Sequence, residues 1–318
     1  MLAHRRVVAL SIAFIGWRLS LVAVTPAAAP IQPAHWTIPR TTSGNPDFQG
    51  VTWNFATMTP LERPRGVEQP VFTEVEAAAF ERQTAERQTA TTNNGYDWWD
   101  AGARHLDARR TSLIVDPPDG RLPPLTPEAQ RRSGTGRQAA QGPAAGPEDF
   151  PLNTRCIWWQ NAGPPMLPSP YNDNVQFIQT REHVVISNEN IHDARIVPMD
   201  GRPHDPVRRW LGDSRGRWDQ NTLVIDTVKL SDKINLRGSD ENLHVIERFT
   251  WIDADTMEYR FTVDDPTVWT RMWTAALTMR RTTQPIYEFA CHEGNFLSMK
   301  GLLEVARFQE KPQPDDHR

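Results

Sequence analysis

Glu247 is the residue of this sequence most open to a chemical reading. It falls at every-second-residue spacing with Leu243, Val245, Phe249 and Trp251, so a strand here puts a lone carboxylate on an otherwise apolar face. Such a group is costly to bury unless paired or protonated, and a desolvated acid can serve as general acid or base. A structural ion pair with an arginine such as Arg215 or Arg281 answers the same pattern. The second candidate lies at Cys291-His292-Glu293. Alternation through Tyr287, Phe289 and Cys291 places Glu288 and His292 side by side on the opposite strand face, a carboxylate-oriented imidazole suited to acid-base work. A histidine satisfying one hydrogen bond at a strand end is the competing reading. Glu247, His292 and Glu288 are therefore the catalytic candidates.

Arg195, Arg202, Arg215 and Arg217 gather in sequence with Trp210 and Trp218. These side chains recognise carboxylates, phenols, sugars and flat rings by paired hydrogen bonds and stacking. Arg215, Trp218, Arg195, His244, Asp265 and Tyr259 are the candidate ligand contacts, against the ordinary alternative of solvent-facing arginines on strand edges. No metal is expected, because His192, His204 and His244 have no zinc-like spacing. Ser214, in Asp-Ser-Arg-Gly, lacks the G-x-S-x-G elbow of a serine hydrolase. No cofactor is expected either.

The elements that must position these groups are mostly strands. Gly212 to Thr227 reads as a hairpin turning at Asp219-Gln220-Asn221. Around it, alternating segments run from Asn174 through Ile186, Ala194 to Pro198, Leu243 to Trp251, Met257 to Val263, Trp273 to Arg281 and Ile286 to His292. Short polar turns without helical crossovers predict a mainly β, antiparallel meander, most simply a lipocalin-like up-and-down β-barrel or a strongly curved sheet. Residues 151–309 form this barrel-like domain, with a short helix at Leu302 to Phe308 and a disordered tail at 310–318.

Ahead of it, residues 30–132 read as a proline-rich wrapping region. Thr73 and Glu76 have capping-box spacing for a helix over 72–89, and Ser112 to Val115 is a short strand ending at Pro117-Pro118-Asp119-Gly120. Thr126-Pro127 opens a second helix. Residues 133–150, poor in bulky apolar side chains, read as a flexible loop.

Arg5 and Arg6, an apolar region interrupted by Arg18, and Ala27-Ala28-Ala29 predict a signal peptide at 1–29, with an uncleaved anchor as the alternative. No later segment is apolar enough for a stable membrane span, so the expected location is periplasmic or secreted. A formal net charge of -4 argues against nucleic acid. In an oxidising compartment Cys156 and Cys291 are expected to pair, two free buried thiols being the alternative. The 27 prolines imply much extended backbone, and the 12 tryptophans supply flat surface for cores and pockets alike.

Gly50-Val51-Thr52-Trp53 is similar, one residue off, to the Gly-x-Trp signature of lipocalin-like barrels, where the tryptophan plugs one end. Pro46-Asp47-Phe48-Gln49-Gly50, Thr59 to Pro64, Ser112 to Thr126, Gly212 to Trp218 and Cys291 to Asn295 together resemble an uncharacterised exported bacterial protein family. That resemblance implies export and carries over no activity and no catalytic residues.

Two classes follow. One is an exported enzyme using Glu/His acid-base chemistry in an aromatic-lined barrel, as a lyase, isomerase or hydrolase. The other is a non-catalytic, lipocalin-like binding protein for an apolar or aromatic small molecule. An interaction module would require an exposed apolar patch, and the oligomeric state is left open.

Overall fold

The computed structural model describes residues 36–91, 105–132 and 146–310. The expected signal peptide, most of the 133–150 loop and residues 311–318 of the tail lie outside them. Ten strands make one antiparallel sheet: β1 Thr52–Asn54, β2 Ile114–Asp116, β3 Asn174–Gln179, β4 His183–Asn188, β5 Ala194–Pro198, β6 Asp213–Asp219, β7 Thr222–Val228, β8 His244–Trp251, β9 Thr256–Asp264 and β10 Trp273–Thr282. Their order is β5-β4-β3-β1-β10-β9-β8-β7-β6, with β2 pairing β10 alongside β1. Among the described residues three α-helices accompany the sheet: α1 Glu74–Thr91, α2 at 127–132 and α3 Cys291–Glu310.

Alternation is strictest in β4, β8 and β9. In β8 and β9 every second residue is buried, and the register sets Glu247 opposite Phe261 and Phe249 opposite Tyr259. Burying one face of each strand against the other side of a curved sheet is what specifies that register, since a one-residue slip would expose the whole apolar set. A chain of aromatic rings runs through a core that is otherwise aliphatic. Ring centroids step from Phe48 to Phe177 at 5.5 Å, to Phe249 at 5.2 Å, to Tyr259 at 4.8 Å, to Phe261 at 5.5 Å and to Trp273 at 5.8 Å. These rings fill the space that a ligand inside a barrel would need. Trp53 joins them as core, fully buried, donating its indole N–H to the Phe48 carbonyl at 3.1 Å.

The N-terminal region is woven into the sheet. β1 bridges β3 and β10, and β2 adds to β10 where β1 leaves off. Thr73 and Glu76 cap α1 reciprocally as the spacing predicts, and the Thr126 hydroxyl accepts the Ala129 N–H at the start of α2. Gly120, at φ +70°, closes the turn after β2, where a Cβ would collide with the Ser112 hydroxyl.

Two expectations are corrected. The sheet is not closed into a barrel: β5 and β6 end the strand order and share no ladder. They instead approach through side chains at Gly216, where a Cβ would collide with the Met199 sulfur and lie 2.9 Å from Val197 Cγ1. The segment at 286–292 is not a strand. Residues 283–290 are irregular and a helix starts at Cys291, well before the expected Leu302. β10 already carries β9 on one edge and β1 and β2 on the other, so the sheet offers no place beside it for a further strand. The Cys156–Cys291 disulfide is present and ties the start of α3 to the segment before β3.

Candidate functional site

Glu247 lies in the middle of the core at 0 % exposure, and Arg195 of β5 reaches it across the interior at 5 %. One guanidinium nitrogen donates to Glu247 Oε2, and the other donates to Oε1 at 2.9 Å. Tyr259 donates its hydroxyl to the same Oε1 at 2.7 Å and accepts the Met166 N–H at 2.9 Å. Burial works against the Arg195 charge, but the Glu247 carboxylate outweighs it and holds the guanidinium above its ordinary range. Burial, reinforced by the Glu247 charge, drives the Tyr259 hydroxyl well above the usual phenol range. This is a closed network in which each charge has its partner. The ion-pair alternative thus describes Glu247, with Arg195 as partner in place of Arg215 or Arg281.

The arginines and histidines of β6 to β8 face outward. His204 bridges two carboxylates, with Nδ1 2.9 Å from Asp213 Oδ2 and Nε2 3.1 Å from Asp226 Oδ1. His244 Nε2 stands 3.2 Å from the other Asp226 oxygen. Arg215 donates to Asp213 at 2.8 Å and to the Pro203 carbonyl. Hydrogen bonding to Asp226 raises the His244 imidazole, and His244 and His204 hold Asp226 below the ordinary carboxylate range despite partial burial. Trp218 packs on Phe48 at 5.9 Å, away from this network. Asp265 is buried, accepting from the Ser239 hydroxyl and from Thr267 N–H and O–H, so it fixes the turn after β9. Among the described residues, no group of three His, Cys, Asp or Glu side chains is arranged to hold a metal ion.

The Glu288 and His292 pairing is lost with the strand that required it. His292 is exposed on the first turn of α3, and Glu288 lies 3.9 Å from His192 instead. The segment carrying Glu288 runs over the Glu189–Asp193 turn, where Glu189 accepts the Tyr287 N–H at 3.0 Å and the Asn174 amide at 2.8 Å. That turn is strained: Ile191 and His192 both have positive φ, +61° and +56°, which is unusual for a β-branched residue. Asn190 is wholly buried, and neither polar atom of its side chain has a protein partner. Burial pushes the neighbouring Asp193 carboxyl up to about 6, with His192 pulling the other way.

A groove of about 740 Å³ opens beside the disulfide, lined by Phe150, Arg155, Trp158, Trp159, Gln160 and Lys233, among others. The disulfide anchors Cys156, the chain neighbour of the lining residue Arg155. Trp158 is the buried floor, its indole N–H donated to the Gly163 carbonyl at 3.1 Å. Trp159 is half-buried and braced edge-on by Phe289 and Tyr171, at 5.9 Å and 6.3 Å. A rigid aromatic wall with amides and two cations around it suits a flat ligand bearing polar groups. Sequence reasoning missed this place, although the adjacent tryptophans beside Cys156 were its visible signal.

Compared with family models, curated proteins and solved structures, the chain matches none, so the functional reading rests on these side chains themselves. Among the described residues no helix is long and apolar enough to cross a membrane.

Proposed function

We propose that this chain is an exported, non-catalytic binding protein that holds a flat aromatic small molecule in the groove beside the Cys156–Cys291 disulfide. The observation that carries the reading is that Trp158 and Trp159 line one groove of about 740 Å³ together with Arg155 and Lys233. The acid-base enzyme needed Glu247, or Glu288 with His292, to face a ligand. With Glu247 enclosed by Arg195 and Tyr259, and Glu288 beside His192, those residues give it no support. The lipocalin-like likeness narrows to a curved antiparallel sheet used as scaffold, with the ligand on its flank. Export is supported by the disulfide, which persists in oxidising compartments.

Titration with 2-naphthalenemethanol, followed by intrinsic tryptophan emission, tests the reading. Saturable quenching that weakens about tenfold in Trp159→Ala supports it, on the scale of one lost aromatic contact. Equal quenching in wild type and variant, or no quenching by either this alcohol or 2-naphthoate, contradicts it. The circular dichroism of the variant should match that of the wild type.

A further inference from the structure

The groove's electrostatics point to a narrower ligand class, and this step rests on the binding-protein reading above. Three charged side chains line the groove: Glu148, Arg155 and Lys233. Arg155 is largely enclosed, its side chain 15 % exposed, and forms an ion pair with Glu148, Nη2 to Oε2 at 2.6 Å. Glu148 is 69 % exposed and stands on the short turn Pro147–Asp149. Lys233 is exposed and has no ion-pair partner among the described residues. An enclosed guanidinium beside an aromatic wall is a good carboxylate receptor, because guanidinium geometry matches two oxygens at once. Among the described residues, the carboxylate paired with that receptor belongs to the solvent-exposed Glu148, whose hold on Arg155 is weakened by competition with water.

We propose that the groove selects aromatic carboxylates, and that the Glu148 carboxylate stands where the ligand's carboxylate binds. The ligand's ring lies on Trp159, its carboxylate displaces Glu148 from Arg155, and Lys233 supplies the second positive charge. Displacing Glu148 changes the charge offered to the ligand from one net positive to two, so selectivity grows as the ligand enters. The exchange moves no proton and breaks no covalent bond. Because Glu148 is tethered to the receptor it blocks, it competes as a local, intramolecular carboxylate.

The test compares 2-naphthoate with the neutral, equally flat 2-naphthalenemethanol, by quenching and by calorimetry, on wild type, Glu148→Gln, Lys233→Gln and Arg155→Gln. Expected are at least tenfold tighter binding of the naphthoate than of the alcohol in wild type, and a several-fold gain for the naphthoate alone in Glu148→Gln. Lys233→Gln, at an exposed position, should lose several-fold for the naphthoate alone, and that affinity should fall with added salt. Arg155→Gln should bring both probes to similar affinity; should it fail to fold, Glu148→Gln and Lys233→Gln decide. Equal affinity for both probes, with no response to Glu148→Gln or Lys233→Gln, overturns the carboxylate assignment and leaves the groove as a neutral aromatic site. Binding of neither probe removes the groove reading and this inference together.

Discussion

At the scale of single residues, charge pairing decides what is structural. Glu247 and Arg195 are mutual partners in the core, so removing one leaves the other buried and uncompensated. Glu247→Leu should therefore cost about 3 to 5 kcal/mol in urea denaturation, while the folded fraction keeps its groove affinity. A cost below about 1 kcal/mol would contradict the closed network. Asp193 behaves in the opposite sense. Its carboxyl is raised to about 6 in the fold from an ordinary 3.8, so the folded state holds a proton that the unfolded state has released between these values. Its contribution is fully present below the unfolded value and is lost as pH rises through the folded one. Asp193→Asn should match wild type near pH 4 and be the more stable protein at pH 8, as read from urea midpoints. A variant less stable at pH 8 would show that the ionised carboxylate has a favourable partner. The His244 and Asp226 pair has its own window. Asp226 is lowered by His244, so its contribution is lost as pH falls into the carboxylate range; His244 is raised by Asp226, so its contribution is lost as pH rises past the imidazole range. Asp226→Asn should thus show its largest stability deficit between roughly pH 4 and 6.5, shrinking on both sides.

At the scale of elements, the disulfide joins α3 to Cys156, the chain neighbour of the groove residue Arg155, across 135 residues of chain. Chain entropy puts its worth near 5 kcal/mol for a loop of that length. Cys156→Ser with Cys291→Ser should lower the unfolding midpoint by a large part of that amount and weaken probe binding. An unchanged midpoint after reduction would show that the tie is incidental. Strands β4, β8 and β9 were legible because period-two burial is written into them, as in Val245, Glu247, Phe249 and Trp251. The segment at 286–292 misled for the same reason: Tyr287, Phe289 and Cys291 alternate, but alternation says nothing of whether a sheet edge is open to receive them. The Asn190 turn was illegible because its strain lies in backbone angles at Ile191 and His192, residue types that rarely adopt them. The adjacent tryptophans were visible in the sequence but the groove was not, because Lys233 joins their lining only through tertiary folding.

At the scale of the whole molecule, an antiparallel sheet curves far enough for β5 to reach β8 through Arg195, yet its edges meet by packing and not by a ladder. Gly216 makes that meeting possible, since Met199 and Val197 occupy the place of its side chain. Gly216→Val should cost about 1 to 3 kcal/mol through overpacking; an unchanged urea midpoint would show that the two edges are independent. Because buried side chains fill the interior, the proposed ligand site lies on the flank, where Trp158 and Trp159 line an open groove. The most direct test of that central claim is a fluorescence titration of wild type and Trp159→Ala with 2-naphthoate. Saturable quenching in wild type, weakened about tenfold in the variant, is the predicted result; identical curves for the two proteins would contradict it.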